Sequence, residues 1–423
     1  MIREAYVETV GEICARLRGG AIDSTRSREI TRGSVRLYEN GKIGIAGALG
    51  EFDEEGLTQE AKKRLDMGVV YTASPTADKH EEREYIETDM DAYDFPWEVE
   101  EMLGEQNRRF PDCSFVHDIR YISESRHLRN TVGLDLYHKA RYFEFYLTLK
   151  RKDSENVKDG TLSFRLPSFD KRAALDALRM LCDGLGQKPC APEGRIPVLF
   201  FFNDPLYNKT LWETLNGISY GSGSSLYAGR MGEKVFADGL TLYQSRNRKD
   251  QFFNAFFDME GTTNPEDRCL LIESGVFRMP FTDKMTATRF FLPLTGAAQA
   301  EYDSVPSMDY PHLAYQPSEH SLSELLSQSQ RENSGRALIA LQPTGGDFSS
   351  DGHFSLRLQT GLWYDETGCD APVHNISLTT EIHKMLGDDW IGVPRHPLFH
   401  IPGLYGVCFW MTVQGPSPSD GRL

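Results

Sequence analysis

The chain has 423 residues, 39% apolar and 26% charged, a composition that excludes a disordered or fibrous protein and, at about 150 residues per domain, predicts two or three domains. Lysine and arginine number 46 against 62 acidic residues, a net charge of −16. A surface this acidic repels phosphate backbones and argues against direct DNA or RNA binding. The seven cysteines are scattered without a CxxC pair, which points to reduced thiols and a cytoplasmic location. The first twenty residues lack the apolar core of a signal peptide, and no run nears the roughly 18 apolar residues that span a bilayer, so no membrane association is expected. The sequons at Asn208 and Asn375 then carry no weight.

Along the chain, Ala5, Val10, Ile13, Cys14 and Leu17 fall near helical spacing and predict a helix over 2–18. Asn40-Gly41 between 34–38 and 43–46 predicts a tight hairpin, because both central residues tolerate positive φ. Leu57, Ala61, Leu65 and Val69 form one stripe of a helix over about 56–70. Residues 81–101 are strongly acidic and read as a solvated connector or exposed helix. An alternating strand follows at 142–149 and an amphipathic helix at 170–185, stopped by Gly184 or Gly186. The Gly/Pro-rich stretch 186–196 marks a domain boundary, giving an N-terminal domain over 1–190 and a C-terminal one over 191–423.

Beyond it come a buried strand at 196–202, a helix near 207–217, a loop at 219–225 and short strands at 240–243, 270–272, 338–341, 354–358 and 362–364. A helix at 322–329 interrupts them, with Ser321 and Glu324 as its capping box. The fold class is α+β, with a mixed α/β N-terminal half and a β-rich C-terminal half.

The search for chemistry is mostly negative. Gly217-Ile218-Ser219-Tyr220-Gly221 spells GxSxG, but a nucleophile elbow needs a strand before the serine and a helix after it. Here a helix precedes and a loop follows. The glycine-rich stretch 221–225 fails as a phosphate cradle for the same reason. His353, His374, His383, His396 and His400 fall late, but Pro394, Pro397 and Pro402 break any helix that would gather the last two around a metal. Cys369 and His374 are a nucleophile pair by proximity in sequence alone. Asp258 and Glu260 share a face if extended, or cap a turn before Gly261; the turn is the favoured reading.

The segment 253–289 carries Asp258-Met259-Glu260-Gly261, then the strand 270–277 (LLIESGVF), then Asp283-Lys284-Met285-Thr286-Ala287. This resembles a signature of the TldD/PmbA (TldE) family, known as modulators of DNA gyrase. Further blocks resemble the family in the same order: the hairpin 33–44, the turn Asn130-Thr131-Val132-Gly133, the segment 224–242, 321–326, and Gly346-Asp347-Phe348-Ser349 before Gly361-Leu362-Trp363. Family TldD subunits carry HExxxH on a central helix, where two histidines bind zinc and the glutamate polarises a water. The corresponding helix here reads Leu211-Trp212-Glu213-Thr214-Leu215-Asn216-Gly217 and has neither histidine.

The resemblance therefore implies a TldE/PmbA-like subunit of two domains. Its active-site helix is degenerate at Trp212, Glu213 and Asn216, and it holds no metal or cofactor of its own. Zinc is expected on a TldD-type partner, with which the chain forms a metalloprotease that degrades or trims unfolded peptides, including in peptide maturation. Asp258, Glu260, Gly261, Gly345, Gly346, Asp347 and Phe348 are the candidates for lining its peptide cavity. A homodimer is expected when the chain is isolated. The ending at 394–423 departs from the family. Two other readings stay open: a stand-alone hydrolase using Ser219, Cys369 with His374, or a late histidine site, and a homo-oligomeric peptide-binding scaffold. The charge leaves no electrostatic route to DNA, so any effect on gyrase would be indirect.

Overall fold

The computed structural model describes residues 1–329, 331 and 334–414; the end of the divergent C-terminal tail lies outside the described residues. Ile2–Arg18 (β1) is a strand, not the helix its apolar spacing predicts. Gly19 and Gly20 hold φ of 64° and 85°, so the chain reverses in two residues and Ala21–Glu39 (β2) returns antiparallel along its length. A two-residue turn of this kind matches the twist of the strands it joins. Val7, Thr9, Val10 and Ile13 are β-branched and favour the extended form.

The Asn40-Gly41 turn forms as expected and leads into Lys42–Leu49 (β3). Glu54–Met67 (α1) is capped by the Asp53 side chain and ended by Gly68 at φ 85°. It presses Ala61 and Leu65 onto Gly44, where an added Cβ would lie 2.2 Å from the Ala61 carbonyl.

Val69–Val70 (β4) and Lys79–Tyr85 (β5) are short. The acidic stretch is thus split between a strand and Phe95–Arg109 (α2), which is no exposed helix: Phe95, Val99, Met102 and Leu103 are buried. Cys113–Asn130 (β6), Leu134–Arg151 (β7) and Gly160–Leu166 (β8) complete a sheet of order β4-β3-β2-β1-β6-β7-β5, with β8 following β5 along the same side of β7.

Lys171–Leu185 (α3) starts on the Asp170 cap, stops at Gly186, and buries Ala174, Leu178, Leu181 and Cys182. One core unites α2, α3 and β6–β8 with Leu199, Ile339 and Leu362 of the later strands.

Those strands begin at Arg195–Phe201 (β9), followed by Pro205–Leu215 (α4) and Gly217–Ser222 (α5). Residues 219–222 are therefore helical where a loop is expected, because the Asn216 side chain caps this helix. Leu242–Ser245 (β10), Arg268–Glu273 (β11) and Val276–Phe277 (β12) precede Lys284–Phe290 (α6). Ala298–Gln299 (β13) pairs with Ser307–Met308 (β14). Leu313–Tyr315 (β15) ends a four-stranded sheet of order β12-β11-β10-β15.

Leu322–Gln328 (α7) carries the predicted capping box. Ala337–Phe348 (β16), His353–Asp365 (β17) and Gly368–Glu381 (β18) follow, the middle one joining two predicted strands into one. Ile382–Met385 (α8), Trp390–Gly392 (β19) and Gly406–Gln414 (β20) complete the chain's described elements. The order is β18-β17-β16-β9-β20-β19, and β18 also pairs β20, so five strands close into a ring. Closure removes free edges. Phe200, Leu338, Leu356 and Phe409 from these strands share a core with Tyr207, Leu211 and Leu215 of α4. The fold is α+β, with a mixed first half and a strand-rich second half.

Candidate functional site

Helix α4 begins on Asp204, whose carboxylate accepts the amides of Leu206 and Tyr207 at 3.0 and 2.9 Å. Pro205 suits the first helical position, where no amide donor is needed. Tyr207 turns inward and hydrogen-bonds Tyr315 on β15. One turn on, Trp212 is half-buried against Phe281, ring centroids 5.5 Å apart, while Glu213 is exposed.

Asn216 joins the two helices. Its side chain donates to the Trp212 carbonyl at 2.6 Å and to Ser219 Oγ at 2.9 Å, and accepts from the Ser219 amide at 2.8 Å. Gly217 then meets a wall. An added Cβ would lie 2.6 Å from Thr282 Cγ2, 2.9 Å from Thr286 Cγ2 and 3.1 Å from the Phe281 carbonyl. No side chain fits there without moving α6, so this joint offers an indole, one exposed carboxylate and a capping amide.

Asp258, Glu260 and Gly261 form the favoured turn. The Asp258 carboxylate accepts the amides of Glu260, Thr262 and Ala298 at 2.9, 2.7 and 3.2 Å, and Gly261 takes φ 72°. The turn docks on the N-terminal sheet. Arg36 on β2 donates to the Met259 carbonyl at 2.5 Å and to Glu4 at 3.3 Å, and Tyr38 donates to Glu4 at 2.9 Å. Glu260 accepts from the Tyr71 hydroxyl and from the Lys284 amide at 2.9 Å. Lys284 Nζ reaches the Glu260 carbonyl and Thr76. Asp258 and Glu260 are 2% and 3% exposed. The Asp258 side chain is consumed in holding the turn and the Glu260 side chain in joining it to Tyr71, and neither residue lines the cleft described below.

Burial, then the neighbouring Asp258, pushes the Glu260 carboxyl up from 4.5 to about 7, against the hydrogen bonds from Tyr71 and Lys284. The folded state thus binds this proton more tightly than the unfolded chain. Its stabilisation is complete below about pH 4.5 and is lost as pH rises through about 7. We expect unfolding free energy to fall by on the order of 1–3 kcal/mol between pH 5 and 8 from this group. Glu260→Gln should flatten that slope in urea titrations; an unchanged slope would remove Glu260 as its source.

Gly345–Phe348 lies elsewhere, at the exposed end of β16. An added Cβ on Gly346 would approach Leu206 Cδ2 to 2.5 Å. Asp347 pairs with Lys209 at 3.1 Å, and Lys209 lies over the Phe348 ring at 5.5 Å. The structure therefore brings this hairpin onto the first turns of α4, apart from the buried Asp258 and Glu260.

The hydrolase alternatives lose their geometry. Ser219 lies in the first turn of α5, hydrogen-bonded to Asn216 and not set on an elbow. Cys369 pairs with Tyr364 and His374 with Thr360 on the neighbouring strand, four residues apart there, and about 13 Å of extended chain is beyond hydrogen-bond reach. Burial also pushes the Cys369 thiol well up, away from a thiolate. His396 precedes a short 3₁₀ turn, Leu398–His400, and His400 ends it. Among the described residues no three His, Cys, Asp or Glu side chains converge as metal ligands.

A cleft of about 430 Å³ opens between Ser163–Arg165 on β8 and β15, reaching Asn208 on α4. Phe202, Phe253, Tyr310 and Tyr405 form much of its wall, with Arg165, Lys249, Asp250 and His312. Burial holds the His312 imidazole neutral, its pKa lowered to about 3, with Arg165 adding to the effect. No motif in the sequence marks these residues, because they come from five separate segments that only the fold assembles.

Residues 194–394 match the PmbA/TldA metallopeptidase C-terminal domain. An uncharacterized protein of Methanocaldococcus jannaschii is 22% identical over 323 residues, 74% of each chain. A zinc metalloprotease TldD homolog of Saccharolobus solfataricus is 26% identical over 156 residues, 33% of this chain and 34% of that protein, so the match spans about a third of the relative. The crystal structure of TldE from Thermococcus kodakarensis superposes with a TM-score of 0.74 at 15% identity, covering 98% of this chain and 97% of that one. At that identity the likeness is one of fold. The resemblance of this sequence to the TldD/PmbA family is borne out, and the match to the family's metallopeptidase C-terminal domain lies in the second half of the chain.

Proposed function

For a chain whose residues 194–394 carry a PmbA/TldA metallopeptidase C-terminal domain, we propose the role of a TldE-like, non-catalytic subunit of a zinc-dependent peptidase assembly. The observation that carries this reading is the α4–α5 joint. A hydrolytic zinc site needs three protein ligands and an open position for water. Here the helix end presents Trp212 packed on Phe281, and Gly217 is closed in by Thr282, Thr286 and the Phe281 carbonyl. Glu213 alone has no metal with which to lower a water's pKa.

In this reading the zinc sits on a TldD-type partner bearing HExxxH, and this chain shapes the cavity that holds an unfolded or extended peptide. The hairpin 345–348 over α4 and the cleft beside β15 are the surfaces available for that task. A cytoplasmic setting suits the seven cysteines, all free, and no helix of the described residues is long and apolar enough to cross a membrane.

Co-expression with an HExxxH-bearing chain tests the assignment. The two should co-elute as one stoichiometric assembly whose zinc follows the partner. Separate elution of the two chains at micromolar concentration would end the reading in favour of a self-associating scaffold.

A further inference from the structure

We propose that Cys113 and Cys182 form a dithiol couple that hydrogen peroxide converts to a disulfide, a modification site that pins α3 to the start of β6. The proposal goes beyond the subunit role and does not depend on it.

Cys113 is the first residue of β6, and Cys182 lies in the last turn of α3. They are 6% and 3% exposed and share one core. The end of α2 holds both. The Cys113 amide donates to the Phe110 carbonyl at 3.0 Å, and the Gln106 side-chain amide, one turn earlier, donates to Cys182 Sγ at 3.5 Å. A second bridge runs through Arg151, which faces Cys113 across the β6–β7 ladder. Its guanidinium lies by the end of α3, where a Cβ added on Gly186 would meet Arg151 Nη1 at 3.1 Å and the Cys182 carbonyl at 3.3 Å. Between these supports the two thiols hydrogen-bond each other, Cys182 donating to Cys113.

The roles of the two sulfurs differ. The hydrogen bond from Cys182, with Arg151 nearby, lowers the Cys113 thiol from its ordinary value against the effect of burial, and the same contact raises Cys182. Cys113 is thus the attacking sulfur and Cys182 the resolving one. The Cys113 thiolate attacks one peroxide oxygen. The O–O bond breaks, and the second oxygen leaves as hydroxide, which takes up the proton Cys113 released. The Cys182 sulfur then attacks the sulfur of the Cys113 sulfenic acid. The S–S bond forms, the S–O bond breaks, and the departing oxygen leaves as water with the Cys182 proton. Two thiols are oxidised to one disulfide, and one peroxide is reduced to two waters. Burial selects the oxidant, because peroxide is small enough to reach a sulfur so nearly covered and a peptide disulfide is not. The new bond closes a long loop and so restricts the unfolded chain.

The test is oxidation of the purified full chain carrying Cys190→Ser, which removes the exposed thiol. A modest excess of hydrogen peroxide should remove two free thiols, lower the mass by two hydrogens and raise the melting temperature by about 5 °C or more. Dithiothreitol should reverse all three. In the unsubstituted chain, alkylated before digestion, a peptide joining Cys113 to Cys182 should appear, a readout that needs no variant. Cys113→Ser in the Cys190→Ser background should keep its free thiols at the same peroxide dose. Cys182→Ser should stop at a sulfenic acid on Cys113, trapped by dimedone. An unchanged thiol count in the parent, or an equal loss in Cys113→Ser, would overturn the proposal, as would a cross-link from Cys113 to any other cysteine.

Discussion

Arg36→Ala is expected to cost the fold about 3–5 kcal/mol, measured by urea unfolding, because it strands a buried carboxylate. Arg36 and Glu4 are 0% and 1% exposed and meet at 3.3 Å. Removing the guanidinium leaves Glu4 with the Tyr38 hydroxyl and a long contact to Asn130, and it leaves the Met259 carbonyl without its donor. The damage therefore falls on the junction between the first sheet and the signature turn, not only on β2. Exchanging both partners for apolar or neutral residues, Arg36→Met with Glu4→Gln, should recover most of the loss, since a buried pair costs desolvation on both sides. A single-variant loss below about 1 kcal/mol would mean that the pair behaves as a surface salt bridge and that the junction does not depend on it.

The second large effect is expected at Gly217. Alanine there adds one carbon against Thr282, Thr286 and the Phe281 carbonyl, at 2.6 to 3.1 Å, and overpacking of this kind costs about 1–3 kcal/mol. Histidine should cost more, so Trp212→His with Gly217→His should lower the melting temperature without creating stoichiometric zinc binding. Glu213→Gln serves as the contrast: an exposed position one turn beyond the Lys209 hairpin contact should stay within about 0.5 kcal/mol of wild type. Stoichiometric zinc in the double histidine variant would show that the joint can open, and the steric argument for a metal-free helix would fail.

Legibility in the sequence follows from how local each feature is. The Asn40-Gly41 hairpin, the Ser321/Glu324 capping box and the stripe of α3 are set by neighbours a few residues apart, and all three appear in the structure. The first strand was hidden because its apolar residues also satisfy a helical period. Gly19-Gly20, which turn through positive φ, were the signal that identifies a hairpin there. At the site, the turn before Gly261 was readable from residue types, but the burial of Asp258 and Glu260 was not. It depends on Arg36 and Tyr71, some 190 to 220 positions away. The cleft wall was invisible for the same reason: Arg165, Phe253, His312 and Tyr405 converge only after the two halves pack.

The most direct measurement is peptide hydrolysis by this chain alone, by an HExxxH-bearing partner alone, and by the two combined, each with zinc quantified. The account predicts no turnover and no stoichiometric zinc for the isolated chain, with cleavage appearing only in the combined, zinc-bearing assembly. Zinc-dependent cleavage by the isolated chain would contradict it.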